Sequence, residues 1–514
     1  MAGVRLVRGF LTVGVWTMAS RILGFVRDIA IAAMLGAGPV AEAFLIAFSL
    51  PNMFRRFFAE GAFNMAFVPM FAKRVEAGEG AHQFARDAFT GLATVLIVFT
   101  LAAQVAMPGL VLAMASGFLE DERFGLAVLY GRIAFPYILF ISLAALLSGV
   151  LNATGRFTAA AAAPVLLNVI FIAALTVGAW LGWDMGLVLA WSVPVAGVAQ
   201  MALVWVAAAR AGYRLIPRRP RMTPELKRLA IIALPAALAG GVVQVNLLIG
   251  RQVASFFDGA IAWLSYADRL YQLPLGVVGI AIGVVLLPDL SRRLRAGDAE
   301  GGRHSLSRAG EMALALTVPA SVALIVIPMP LVTVLFQRGA FSADDAAATA
   351  FAVQVYGLGL PAFVLQKVLQ PAYFARENTR TPFYFALGSL AINAVVAVGL
   401  APVVGYIAAA FGTTLAGWGM VARLWIGTYR MGEITRFDAR FWRRFWRIGL
   451  ASWLMGAVIW GLALPLGTLL GSPGGNALAL LILVAAGIAS YFGLGHALGA
   501  FRLSEFRAAF KRSR

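Results

Sequence analysis

The chain has 514 residues, 61% of them hydrophobic and only 13% charged, and its mean hydropathy is +0.85. A soluble chain of that composition would expose large contiguous apolar patches, so a soluble enzyme is excluded and an integral membrane protein is indicated. Cysteine is absent, which removes disulfides and thiolate metal sites, and the net charge of +19 must be read from where the charges sit.

Hydropathy predicts an all-α polytopic membrane protein of about fourteen spanning segments. They lie near 9–35, 40–72, 87–115, 125–151, 160–182, 186–209, 228–257, 260–291, 309–336, 346–375, 382–400, 404–429, 448–470 and 476–500. Arg5 and Arg8 ahead of the first apolar run imitate a secretory signal. The run is longer than a signal core and no small-residue cleavage site leads into a soluble domain, so it is read as a spanning helix.

An even count returns both termini to one side. The connections on that side, 73–86, 155–156, 210–228, 292–308, 376–380 and 430–447, hold with both tails 31 of the 42 Lys and Arg residues. The opposite loops hold two, Arg123 and Arg338. By the positive-inside rule both termini are cytoplasmic, and this loop distribution argues against nucleic acid as the partner of the positive charge. The run Arg218-Arg219-Pro220-Arg221 reads as a topology determinant, with recognition of anionic lipid headgroups as the alternative.

Two echoes suggest a duplicated six-helix unit. Pro69-Met-Phe-Ala-Lys-Arg-Val75 returns as Pro288-Asp-Leu-Ser-Arg-Arg-Leu294, 219 positions later, and the run from Phe135-Pro136 to Arg156 returns from Leu360-Pro361 to Arg380 at an offset of about 225. Six crossings bring a chain back to its starting side, so the halves would relate by an axis along the membrane normal. The expected domains are a lobe over 1–215, a second pseudo-symmetric lobe over 216–430, and an additional helix pair with a tail over 431–514. The basic and aromatic run Phe441-Trp-Arg-Arg-Phe-Trp-Arg447 opens that pair at the membrane interface, as an anchor or as part of a surface for a lipid tail.

Chemistry-bearing motifs of soluble enzymes are missing. His82, His304 and His496 are scattered, and no Walker loop, nucleophile elbow or metal-spaced cluster occurs, so no cofactor is expected. The charges inside the spans are the exception, because an ionised side chain at mid-membrane depth costs roughly 2.5–3.5 kcal/mol on insertion scales. Ser20-Arg-Ile-Leu-Gly-Phe-Val-Arg-Asp28 carries Arg21, Arg27 and Asp28, and the second segment carries Arg55 and Arg56.

Helical spacing puts Arg21 and Asp28 on one face, able to pair, with Arg27 pointing about 120° away. Arg56 and Glu60, four apart, could neutralise each other. With Arg251 and Arg269 the six arginines have only Asp28, Glu42, Glu60 and Asp268 as obvious partners, so a positive excess remains. For one isolated pair, a buried salt bridge fixing helix register would suffice; the count points instead to an anion-attracting cavity. Guanidinium stays charged and grips phosphate oxygens in pairs, so a phosphate or pyrophosphate cargo is expected.

The motifs Ser20 to Asp28, Phe44 through Pro51-Asn-Met-Phe-Arg-Arg-Phe-Phe-Ala-Glu-Gly-Ala-Phe63, and Tyr266-Ala-Asp-Arg-Leu270 resemble the MurJ (MviN) family of lipid II flippases. The resemblance implies a fold related to multidrug and oligosaccharidyl-lipid exporters, with two lobes around a central cavity in the bacterial inner membrane. It implies that Arg21, Arg27, Arg55 and Arg269 bind the pyrophosphate of lipid II, and that Asp28 and Glu42, the latter replacing the usual Asp, support function. Ser20, Arg56, Glu60 and Asp268 are supporting candidates from the same motifs, and Gln272 stands where some relatives carry Glu.

Some relatives bind sodium. Asn393 and Thr413 resemble two of those ligands, whereas Gly250 and Ala397 stand where carboxylates are used, so the coupling ion is left open. Membrane lipids and the cell-wall synthesis machinery are the other partners considered. An exporter of drugs or of another lipid-linked oligosaccharide is the competing reading. A polytopic transferase would need a general base or metal-binding acidic motif that the sequence does not offer.

Overall fold

The computed structural model describes residues 2–56, 62–472 and 474–501. Among them regular structure is helical throughout, with no strand. The chain runs as α1 (Ala2–Leu35), α2 (Pro39–Arg55), α3 (Ala62–Ala77), α4 (Ala81–Met114), α5 (Glu122–Ala134), α6 (Tyr137–Ala153), α7 (Thr158–Leu181), α8 (Met185–Arg210) and α9 (Pro224–Ala254). It continues as α10 (Ala260–Arg295), α11 (Ala299–Val326), α12 (Pro328–Phe336), α13 (Ala343–Phe374), α14 (Arg380–Val404), α15 (Ala408–Arg430), α16 (Ala439–Ala463), α17 (Gly467–Leu470) and α18 (Gly475–Ala497).

Among the described residues, each segment expected from hydropathy falls on a helix or on two consecutive ones; the segment 40–72 includes 57–61, which lie outside them. Nine helical stretches among the described residues are long and apolar enough to cross a membrane, one of them joining α14 and α15 over Arg380–Arg430. Proline accounts for three internal breaks. Pro136 lies between α5 and α6, Pro465 lies between α16 and α17, and Pro328 is the first residue of α12, one residue beyond the end of α11, positions where a residue without an N–H cannot continue the preceding ladder.

Starts are encoded as plainly. Asp184, Thr223 and Asp438 accept the backbone N–H three residues on, at 2.9, 3.2 and 2.7 Å, to cap α8, α9 and α16. Ser342 and Asp345 close a reciprocal capping box on α13.

The chain forms two compact units: Met1–Ala262 with Gly339–Phe341, and Trp263–Arg338 with Ser342–Arg514. In the first, α1 packs on α7, α2 on α5, and α8 on α6 and α7. Helix α9 joins it because α9 lies against α3 and α4, where Gly91 makes room for Leu226 and Arg74 pairs with Glu225 at 3.5 Å.

The short stretch 339–341 belongs to this unit because Ala340 N donates to Ala33 O at 2.8 Å. A Cβ at Gly36, whose φ is +61°, would lie 2.5 Å from the Ala340 carbonyl oxygen, so this approach needs glycine twice over.

In the second unit α15 packs between α13 and α14, tied by Thr414 Oγ1 to Val355 O at 3.0 Å and Tyr373 OH to Leu424 O at 2.9 Å. The additional pair α16 and α18 packs on α11 and α12 through Val322, Ile327, Met455, Ile459 and Leu483. Tyr491 donates to Ala315 O at 2.6 Å, which satisfies its hydroxyl inside that contact.

Candidate functional site

The charged cluster of the first unit is built on α1 and α7. Arg27 is only 6% exposed, because its guanidinium is enclosed by partners. Nε and Nη2 donate to Asp28 Oδ1 at 3.0 and 2.7 Å, and Nη1 donates to Asn168 Oδ1 on α7 at 3.0 Å. Phe48 and Phe171 lie 5.9 and 5.6 Å from its carbon centre, so aromatic faces share the stabilisation of the cation. Asn168 in turn donates from Nδ2 to Ser20 O at 2.9 Å, fixing which way its amide points. Three of the five guanidinium N–H donors are thereby engaged by described residues.

The helical-face reading paired Asp28 with Arg21, and the geometry pairs it with Arg27 instead. An arginine side chain is long enough to reach back to the carboxylate of the next residue, so Cβ directions alone do not decide the partner. Arg21 is exposed, and its side chain makes no ion pair or hydrogen bond among the described residues.

Glu42 is placed elsewhere in the unit. It stands in the first turn of α2, thirteen residues or roughly 20 Å along the axis from Arg55 in the last turn. Its side chain is buried to 1% and its oxygens accept from Arg123 Nη1 at 2.8 Å and Ile261 N at 3.0 Å. Arg123 also binds Asp121 through Nε and Nη2 at 2.8 and 2.5 Å and Asp258 at 3.0 Å, with the Phe118 ring 4.5 Å away. The Arg123 hydrogen bonds hold the Asp121 carboxyl below its usual range. The sequence reading counts Arg123 only as a charge of the opposite loops; the structure makes it a buried hub joining α2, the start of α5 and the turn after α9.

Arg55 is half-buried at the end of α2 and Arg56 follows it, exposed. Glu60, the expected partner of Arg56, lies outside the described residues. Arg251 is half-buried near the end of α9. In the second unit, Asp268 and Arg269 sit on α10, with Arg269 exposed and Gln272 donating to Asp268.

Asn393 on α14 is fully buried against α15, where a Cβ at Gly412 would meet its Oδ1. Thr413 donates to Ala409 O of its own helix at 3.0 Å. Ala397 is buried beside them. Among the described residues no three His, Cys, Asp or Glu side chains gather as a metal site.

Asn168 is the member of the Arg27 cluster that the sequence reading missed. Its only signal is a lone amide in the apolar run of α7, where a polar side chain must find a partner.

The fold and the arginine-bearing helices define the class first. The chain superposes on an inward-facing multidrug resistance MATE family transporter of the MOP superfamily with a TM-score of 0.66 at 14% identity, covering 82% of this chain and 96% of that one. A solved lipid II flippase MurJ in an inward closed conformation matches with a TM-score of 0.78 at 24% identity over 95% and 98% of the two chains. The chain shares its helical fold with both.

Sequence comparison is narrower. The family model described as lipid II flippase MurJ matches residues 31–469. Probable lipid II flippases MurJ of Rhizobium meliloti and Rhizobium tropici are 45% and 43% identical, each over 99% of this chain and over 96% and 97% of their own lengths. A lipid II flippase MurJ of Burkholderia cenocepacia is 37% identical over 78% of this chain and 80% of its own. The chain belongs to the MurJ family of lipid II flippases.

Proposed function

We propose that this protein moves lipid II, the undecaprenyl-pyrophosphate-linked peptidoglycan precursor, from the cytoplasmic to the periplasmic leaflet of a bacterial inner membrane. No covalent bond is made or broken, so the protein is a transporter and not an enzyme. The observation that carries the reading is the buried Arg27 cluster: a guanidinium fixed by Asp28 and Asn168 in an apolar helix. Family membership supplies the cargo.

Arg21, Arg27, Arg55 and Arg269 are read as the phosphate-binding set. Arg27 is pre-oriented, so little side-chain entropy is lost when an oxyanion docks on it. Exposed Arg21 supplies charge that no carboxylate among the described residues pairs with. The sugar-peptide head would follow the pyrophosphate while the polyprenyl tail stays in lipid.

Alternating access is read as rocking of the lobes 1–215 and 216–430, with 431–514 as an appendage and about fourteen crossings in all. Both termini are read as cytoplasmic from the 31-to-2 loop asymmetry. Membrane potential can bias such a cycle, since one charge crossing 100 mV is worth roughly 2.3 kcal/mol.

Expression in a bacterial strain depleted of its own flippase tests the function. Growth, cell shape and outer-leaflet exposure of lipid II should be restored. Restored drug resistance without restored cell-wall synthesis would favour the drug-exporter reading.

A further inference from the structure

The basic run after α8 borders an apolar groove. Ala93 of α4, Leu143 of α6 and Trp205 of α8 line it together with Leu215, Ile216 and Pro217, and the space measures about 360 Å³. Two contacts hold the covering segment in place: Trp205 Nε1 donates to Leu215 O at 3.4 Å, and Arg218 N donates to Thr90 Oγ1 at 3.3 Å. The lining is apolar, yet Arg214 and Arg218 bracket its last three residues in sequence, and Arg219 and Arg221 follow.

All four arginines are exposed, and their side chains make no ion pair or hydrogen bond among the described residues. Glu225, the next carboxylate along the chain, is paired with Arg74. An apolar slot whose covering segment is flanked in sequence by exposed arginines, without ion pairs among the described residues, complements an amphiphile that has an acyl chain and a phosphate.

We infer that this groove is a binding site for one anionic diacyl phospholipid, with an acyl chain between α4, α6 and α8 and its phosphate on Arg214 and Arg218. A zwitterionic lipid fits less well, because its ammonium group faces the same arginines. A basic pocket between spanning helices at a membrane surface is a known route to headgroup recognition. The inference rests on the membrane reading of the chain and not on which leaflet the loop faces, so it and the topology fail separately.

The test is native mass spectrometry of the full chain in detergent, titrated in turn with phosphatidylglycerol, phosphatidylcholine and undecaprenyl phosphate. The wild type should retain one phosphatidylglycerol at least tenfold more tightly than phosphatidylcholine. Arg214→Gln with Arg218→Gln should lower that affinity at least tenfold, and Ala93→Leu, which fills the slot, should lower it with all charges kept. Arg292→Gln with Arg295→Gln, the same charge loss in another connection, should leave it unchanged. Equal retention of the two phospholipids, equal weakening by both double variants, or preference for undecaprenyl phosphate would each overturn the inference.

Discussion

Asn168 accepts a hydrogen bond from Arg27 Nη1 at 3.0 Å while its own amide holds Ser20 O at 2.9 Å, so one neutral side chain on α7 orients the buried cation of α1. A hydrogen bond to a charged group contributes about 1.5–3 kcal/mol, which corresponds to roughly a ten- to hundredfold effect if it is felt in substrate binding. Asn168→Ala should therefore reduce lipid II transport by about that factor while the protein still inserts and folds. Transport at the wild-type rate would show that Arg27 needs no such orientation.

The arginines themselves should be less forgiving. Arg27→Ala, Arg55→Ala and Arg269→Ala should each abolish complementation of a flippase-depleted strain without loss of membrane insertion. Lysine at the same positions should rescue poorly, because an ammonium lacks the planar fork. Growth supported by all three alanine variants would remove the pyrophosphate clamp from the account.

The Arg123 hub predicts an asymmetry. Arg123→Met leaves Glu42 buried with backbone N–H donors and no cation, a change that typically costs about 3–5 kcal/mol, whereas Glu42→Gln leaves Arg123 with Asp121 and Asp258. Thermal unfolding should show the larger drop for Arg123→Met. An equal drop would mean that the hub carries no net charge dependence.

Asp121 adds a pH signature to the same hub. Its carboxyl is held below the usual range by Arg123, so its contribution is present above the unfolded value near ~3.9 and is lost as pH falls through the lowered folded value. The difference in unfolding temperature between wild type and Asp121→Asn should be constant near neutral pH and should shrink in acid. A difference that grows on acidification has the wrong sign.

Sodium dependence should be absent. Thr413 is bonded to its own helix, Asn393 is neutral, and Ala397 and Gly250 bring no side-chain oxygen, so a sodium ion would find few hard ligands. Replacing sodium with potassium or choline at constant potential should leave transport unchanged. A collapse of the rate that Asn393→Ala reproduces would show that a functional sodium site exists.

Much of the architecture was legible because hydropathy is a one-dimensional signal. Among the described residues the expected segments fell on helices, whereas the breaks near Pro136, Pro328 and Pro465 divide segments that hydropathy read as continuous. The charges within the helices were conspicuous for the same reason: an arginine in an apolar run stands out.

Pairing was not legible. Asp28 bonds the neighbouring Arg27 and not Arg21, and Glu42 bonds Arg123, 81 residues on, which had been counted as a loop charge. Such partners depend on side-chain reach and on which helices pack together, and neither periodicity nor loop counting contains that. Asn168 escaped because a single amide carries no charge to flag it.

The most direct measurement is transport of fluorescent lipid II by the purified protein in vesicles, with wild type compared with Arg27→Ala under an imposed membrane potential. The account predicts protein-dependent movement of lipid II across the bilayer that Arg27→Ala abolishes. Wild-type vesicles that move no more lipid II than empty ones, or an Arg27→Ala variant that moves it at the full rate, would contradict it.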